Sequence, residues 1–328
     1  MKKIILFLGI MVFFITGCGK YSENDIINEM NKKIKNSYKL SGELSISNND
    51  DIYNYEVEVS YKKDNYYKVS LTNVSNNHTQ VILKNDDGVY ILTPALNKSF
   101  KFQSDWPYNN SQIYLLGALI NDIEKDADRK FKETENGYTF ITKVNYPNNK
   151  NLVNQKVILD KKLNIREVKV YDGNDSIKME MDFDSIDYSP TFKDDYFELD
   201  TIMKTFDEVD VLESANLEDS IYPLFLPSGT KLTNSEKITT DVGERIIMTF
   251  DGDKPFLLVE ETASAMEEFT VIPTYGEPYM LMDTLGVMTD NSLSWSSNGI
   301  EYYIVSDVMN QDELIEIAQS ISVLPTMK

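Results

Sequence analysis

One cysteine and one histidine, Cys18 and His78, stand in a chain of 328 residues. That scarcity excludes a Cys/His zinc cluster, a two-histidine metal site and a disulfide within the chain. His78 follows Asn76-Asn77 at the edge of a strand-like run, where a solvated turn residue is the simplest reading. Alone, it lacks the nucleophile or positioned water that a general base works on. Acids are plentiful but poorly spaced for chemistry. Asp182-Phe183-Asp184 with Asp187, Asp194-Asp195 and Asp251-Gly252-Asp253 lack EF-hand spacing, and calcium wants six to eight oxygens from a wrapping loop. They read as solvated faces, so neither a metal nor a cofactor is expected. Glu260-Glu261 and Glu267-Glu268 could be acid–base pairs, but no Gly-rich phosphate loop and no G-x-S-x-G elbow accompany them. The expectation is a protein without catalytic residues.

Cys18 stands apart because of what precedes it. Met1-Lys2-Lys3 is a basic start, residues 4–15 are an uncharged apolar run, and Thr16-Gly17-Cys18 follows. This is the pattern of a secretory signal peptide, and the run is too short for a spanning helix of ~20 residues. Ile15-Thr16-Gly17-Cys18 resembles the lipobox of bacterial lipoproteins, in which the Cys is diacylated and the chain is cut before it. The resemblance implies a mature protein beginning at Cys18, carrying a diacylglyceryl anchor on the extracytoplasmic face of the cell membrane. Two acyl chains suffice for stable anchoring.

The elements that would hold any site come from hydrophobic period. Ser22 can cap a helix to about Asn36, with Ile26, Ile27, Met30 and Ile34 on one face. The period then falls to two: Tyr38, Leu40, Gly42, Leu44, Ile46, then Tyr53, Tyr55, Val57, Val59, Tyr61. Strand-like runs continue at 65–72, 78–84, 88–93 and 98–103. A helix is expected from Ser111 to about Ile123, followed by strands near 129–134, 138–145, 152–160, 164–172 and 176–188. Some ten strands with two helices predict an α+β fold, one large antiparallel sheet that curls and carries its helices on one side.

Charge divides the chain. Residues 1–190 hold 25 basic and 26 acidic groups, whereas residues 191–328 hold 7 and 27. The whole carries −21, which sets nucleic-acid binding aside. The expected organisation is a signal peptide over 1–17, a first domain over 18–200, an acidic linker over 201–219 and a small acidic α+β domain over 220–328. The last has strands near 244–250, 255–261 and 299–306 and a helix from Gln311.

The run from Val81 to Pro94, with its Asn85-Asp86-Asp87-Gly88 turn, resembles a central hairpin of the LolA/LolB/RseB superfamily. Residues 97–107 and 111–116 are similar to the YdcC sporulation and GerS germination groups of LolA-type lipoproteins in spore formers. Phe225-Leu226-Pro227-Ser228-Gly229-Thr230 and residues 296–303 resemble a small domain fused to YdcC-like modules. Together these cover most of residues 25–325. The resemblance implies a half-barrel with helices on its concave side. It also implies either an adaptor for a cell-wall amidase or other envelope protein, or a carrier holding lipid acyl chains in the concavity. Candidate binding residues are Trp106 with Phe100 and Phe102, beside a Pro-fixed loop, and the tyrosines Tyr55 and Tyr61 among Tyr53, Tyr66 and Tyr67. Trp106 is a docking anchor or a plug for the barrel end; the tyrosines line a groove or make ordinary core and cross-strand pairs.

Overall fold

Alternation of apolar and polar residues builds most of the molecule. The computed structural model describes residues 21–48, 51–107, 110–206, 217, 220–241 and 243–321. The signal-peptide and Cys18 assignments, and most of the 201–219 linker, fall outside these residues. Among the described residues no helix is long and apolar enough to cross a membrane.

Helix α1 (Glu23–Lys33) opens with a capping box in which the Asp25 amide donates to Ser22 Oγ and the Ser22 amide to the Asp25 carboxylate. Six strands follow, β1 (Ser37–Asn48), β2 (Asp51–Lys62), β3 (Tyr66–Asn73), β4 (Thr79–Asn85), β5 (Gly88–Thr93) and β6 (Lys98–Phe102), each antiparallel to the one before. After α2 (Leu116–Lys125) come β7 (Lys130–Glu133), β8 (Gly137–Lys143), β9 (Leu152–Asp160), β10 (Ile165–Asp172) and β11 (Ile177–Asp187). Strand β11 returns to pair with β1, which joins the two runs into one sheet. At Gly42 the β1–β11 register shifts, and a Cβ there would lie 2.1 Å from the Asp182 carbonyl oxygen. A glycine is needed for that close approach.

Laid flat, twelve strands would span roughly 55 Å. Yet Phe102 at one end, Phe140 near the other, and both α1 and α2 share a single buried cluster. The sheet therefore wraps around the two helices, which lie on its concave side. Helix α2 starts five residues later than the expected Ser111, because Ser111 is held outside it by other partners. The Ser111 amide instead donates to the Asn145 carbonyl, while its hydroxyl accepts from the Asn145 amide and donates to Asp122.

The convex side is covered too. A short helix α3 (Leu199–Lys204) and the preceding Phe192, Tyr196 and Phe197 pack on Val81, Leu83, Tyr90 and Leu92. Burial on both faces explains the unbroken apolar runs of β4 and β5, where Val81, Ile82 and Leu83 are all inside.

The C-terminal part forms a second antiparallel sheet from β12 (Lys231–Thr240), β13 (Gly243–Asp251), β14 (Phe256–Thr262), β16 (Glu277–Met280), β17 (Leu285–Met288), β18 (Ser292–Ser297) and β19 (Ile300–Val305). Helix α4 (Gln311–Ser320), capped by Asn310 and Glu313, covers one of its faces. The remaining strand, β15 (Thr270–Thr274), leaves this sheet and adds in parallel to β6, as the last strand of the first.

Candidate functional site

The two sheets meet along a seam of side chains from strands that are far apart in sequence. Gln80 accepts from the Leu285 amide at 2.6 Å and from the Thr284 hydroxyl at 2.9 Å. Asn73 donates to the Asp283 carbonyl at 3.1 Å, and Tyr55 donates its hydroxyl to the Met282 carbonyl at 2.9 Å. Lys98, buried on β6, pairs with Glu301 of β19. Through this seam Leu285 and Val287 enter the core of the first sheet and help to close its concave side.

The candidate aromatics sit inside that packing. Tyr38, Tyr61 and Tyr67 face one another across β1, β2 and β3, with ring centroids 5.1 and 4.9 Å apart. Trp106 meets Tyr67 edge-on at 5.8 Å and is only 1% exposed. Trp106 is thus buried within the packing rather than exposed on the surface. Phe102 is buried beside it, and Phe100 is half-buried between Ile91 and Ile272 of the flanking strands. Tyr55 belongs to the seam.

The remaining candidates separate. His78 is half-buried at a small cavity of about 40 Å³ that Asp283 and Ser297 also line, and burial lowers its pKa. Glu260 and Glu261 point to opposite faces of β14. Glu261 lies 2.8 Å from Arg245, whereas Glu260 is fully buried, accepts from the Ile221 amide, and is pushed up to about 7 by that burial. Glu167, Glu180 and Asp182 bring three carboxylates within 4.8 Å on β10 and β11. Lys169 already sits 2.9 Å from Glu167 and 3.0 Å from Glu180. Below α2, Asp122 accepts from Ser111 and Gln155 and is raised by burial to about 6.

A site that the sequence did not announce lies between the sheets. It is a cleft of about 560 Å³ bounded by the end of β1, the β8–β9 loop, the β10–β11 hairpin, β16 and α4. Lys150 fastens its rim, its amide donating to Asp312 of α4 at 3.0 Å. No single segment supplies more than a fraction of the wall. The only local hint was the density of asparagine in Tyr146-Pro147-Asn148-Asn149-Lys150-Asn151, which reads as an ordinary turn.

Comparison with known proteins gives consistent results. A family model described as sporulation protein YdcC-like matches residues 1–197. The chain is 37% identical over 332 residues to the sporulation protein YdcC of Bacillus subtilis (strain 168), covering 98% of each chain. Among solved structures it is similar to the Pseudomonas aeruginosa MucA/MucB complex, at 13% identity with 90% and 96% of the two chains covered and a TM-score of 0.32. It is also similar to the Clostridioides difficile CwlD amidase in complex with the GerS lipoprotein, at 17% identity, 52% and 98% coverage and a TM-score of 0.32.

Proposed function

The chain belongs to the family of YdcC-like sporulation proteins, and from that membership we propose that it is a non-enzymatic lipoprotein of the cell envelope that acts during sporulation as an adaptor for an enzyme modifying the cell wall. In this reading the chain is held to the extracytoplasmic face of the membrane by the diacylglyceryl group on Cys18. The domain division at 18–200, 201–219 and 220–328 is part of the same reading.

One observation favours the adaptor over a carrier of acyl chains. A carrier needs an open apolar channel, and here the concave side is filled from within. Ile26 and Met30 of α1, Leu119 and Ile123 of α2, and Leu285 and Val287 of the second sheet share one cluster with the tyrosines and Trp106. Deletion of the gene is expected to impair spore cortex formation or later germination. The wild-type gene should restore it fully, and a Cys18→Ala gene less well. Normal spores from the deletion strain would overturn the proposal.

A further inference from the structure

The cleft between the sheets has a lining that neither the packing nor the adaptor role uses. Its aliphatic floor is closed, since Ile46, Leu152 and Ile315 are each at most 9% exposed. Above that floor the partly exposed groups are amides, together with the half-buried Met179 and Met280. Gln112, Asn148, Asn151, Asn174 and Gln319 line the cleft, and among the described residues none of their side-chain amides has a hydrogen-bond partner. They converge from four separate places: the segment before α2, the β8–β9 loop, the β10–β11 hairpin and α4. The half-buried rings of Tyr146 and Tyr279 lie among them, whereas Tyr114 is buried.

Chemistry narrows what such a lining accepts. An amide side chain brings two donors and an acceptor without charge, and so matches hydroxyl and acetamido groups. A tyrosine ring offers an apolar face to the C–H face of a sugar ring, with a polar edge beside it. The charged groups at the rim are mostly acidic: Asp172, Glu277, Asp312 and Glu316 against Lys150 and Lys178. Phosphates and carboxylates are therefore repelled. An acyl chain would strip water from the amides and leave them unpaired, at a cost for each one buried. An extended peptide would need a strand edge, and the edge strand at the cleft, β16, is four residues long and carries Pro278, which has no donor. The volume lies within the roughly 300–1,000 Å³ of small-ligand sites.

We propose that this cleft binds a neutral, N-acetylated glycan, the chemistry of a cell-wall polysaccharide strand. The proposal rests on the envelope location given above but needs no enzyme partner. Its test is calorimetric titration of the full chain in lipid nanodiscs with a β-1,4-linked N-acetylglucosamine tetramer. A glucose tetramer, palmitate and a short neutral peptide serve as comparison probes. Saturable heat is expected with the acetylated tetramer alone. Binding should weaken about five-fold in either Asn174→Ala or Gln319→Ala, as loss of one hydrogen bond predicts, with thermal unfolding unchanged in both. No saturable heat with the tetramer, wild-type affinity in both variants, or preference for palmitate or peptide would each overturn the proposal. Such a failure leaves the sporulation phenotype, and hence the adaptor reading, standing.

Discussion

Glu260 and Asp122 are the side chains whose chemistry is most altered by folding. Both are buried carboxyls raised from their ordinary values, Glu260 to about 7 and Asp122 to about 6. Between about pH 4 and pH 7 these two carboxyls hold more protons in the folded than in the unfolded chain, and their contribution to stability falls as pH rises through that window. A shift of about two units corresponds to roughly 3 kcal/mol for each group above its folded value. Calorimetry should give a higher unfolding temperature at pH 5 than at pH 8, and Glu260→Gln should flatten the difference. A variant as pH-sensitive as the wild type would show that the carboxyl at Glu260 is not responsible. Trp106 makes a second test at this scale. As a plug it should cost about 3–5 kcal/mol when changed to Ala, read by denaturant unfolding. A loss below ~1 kcal/mol would fit an exposed anchor instead. Sequence alone left both roles of Trp106 open, because a Trp beside Pro107 looks the same in a loop and in a barrel end. Burial by Tyr67, 39 residues away in sequence, decides it.

At the scale of elements, local pattern revealed more of the first sheet than of the second. Strands β1, β2 and β3 of the first sheet alternate cleanly, and turns such as Asn85-Asp86-Asp87-Gly88 mark strand ends. In the second part, β13, β14, β19 and α4 were legible from their apolar spacing. Strand β12 was missed because it is an exposed edge with little apolar signal. Strands β15, β16 and β17 were missed because each is only four or five residues long. Helix α2 begins later than its apolar stripe implies because Ile113 falls at helical spacing without being helical, and the Ser111 contacts to Asn145 and Asp122 hold that segment outside the helix. The long apolar runs in β4 and β5 were visible, but the α3 segment that covers their outer face is distant in sequence. Strand β17 carries the element-scale prediction. Leu285→Ala together with Val287→Ala should open the concave side and raise binding of an apolar fluorescent dye several-fold. Unchanged dye binding by a folded variant would mean that these two residues do not seal it.

The whole molecule consists of a half-barrel and a smaller two-layer unit, joined by the seam and by β15. Neither the seam nor the amide-lined cleft could be read from the sequence, since each joins segments from the two ends of the chain, Gln80 to Leu285 in the seam and Ile46 to Gln319 in the cleft. The acidic balance of the C-terminal part was legible, and at −20 over residues 191–328 it favours basic protein partners over anionic lipid surfaces. Lipid anchorage belongs to this scale as well. Fractionation of cells should find the wild type with membranes and Cys18→Ala in the soluble fraction, and a membrane-bound variant would contradict an acyl anchor at that residue. The central claim is an adaptor whose concave side is filled by its own side chains. Native mass spectrometry of the full chain, gently extracted from sporulating cells, tests it most directly. The account predicts an added polypeptide mass and no lipid beyond the anchor. An added mass that fragments as a second, non-covalent lipid, without polypeptide, would contradict it and restore the carrier.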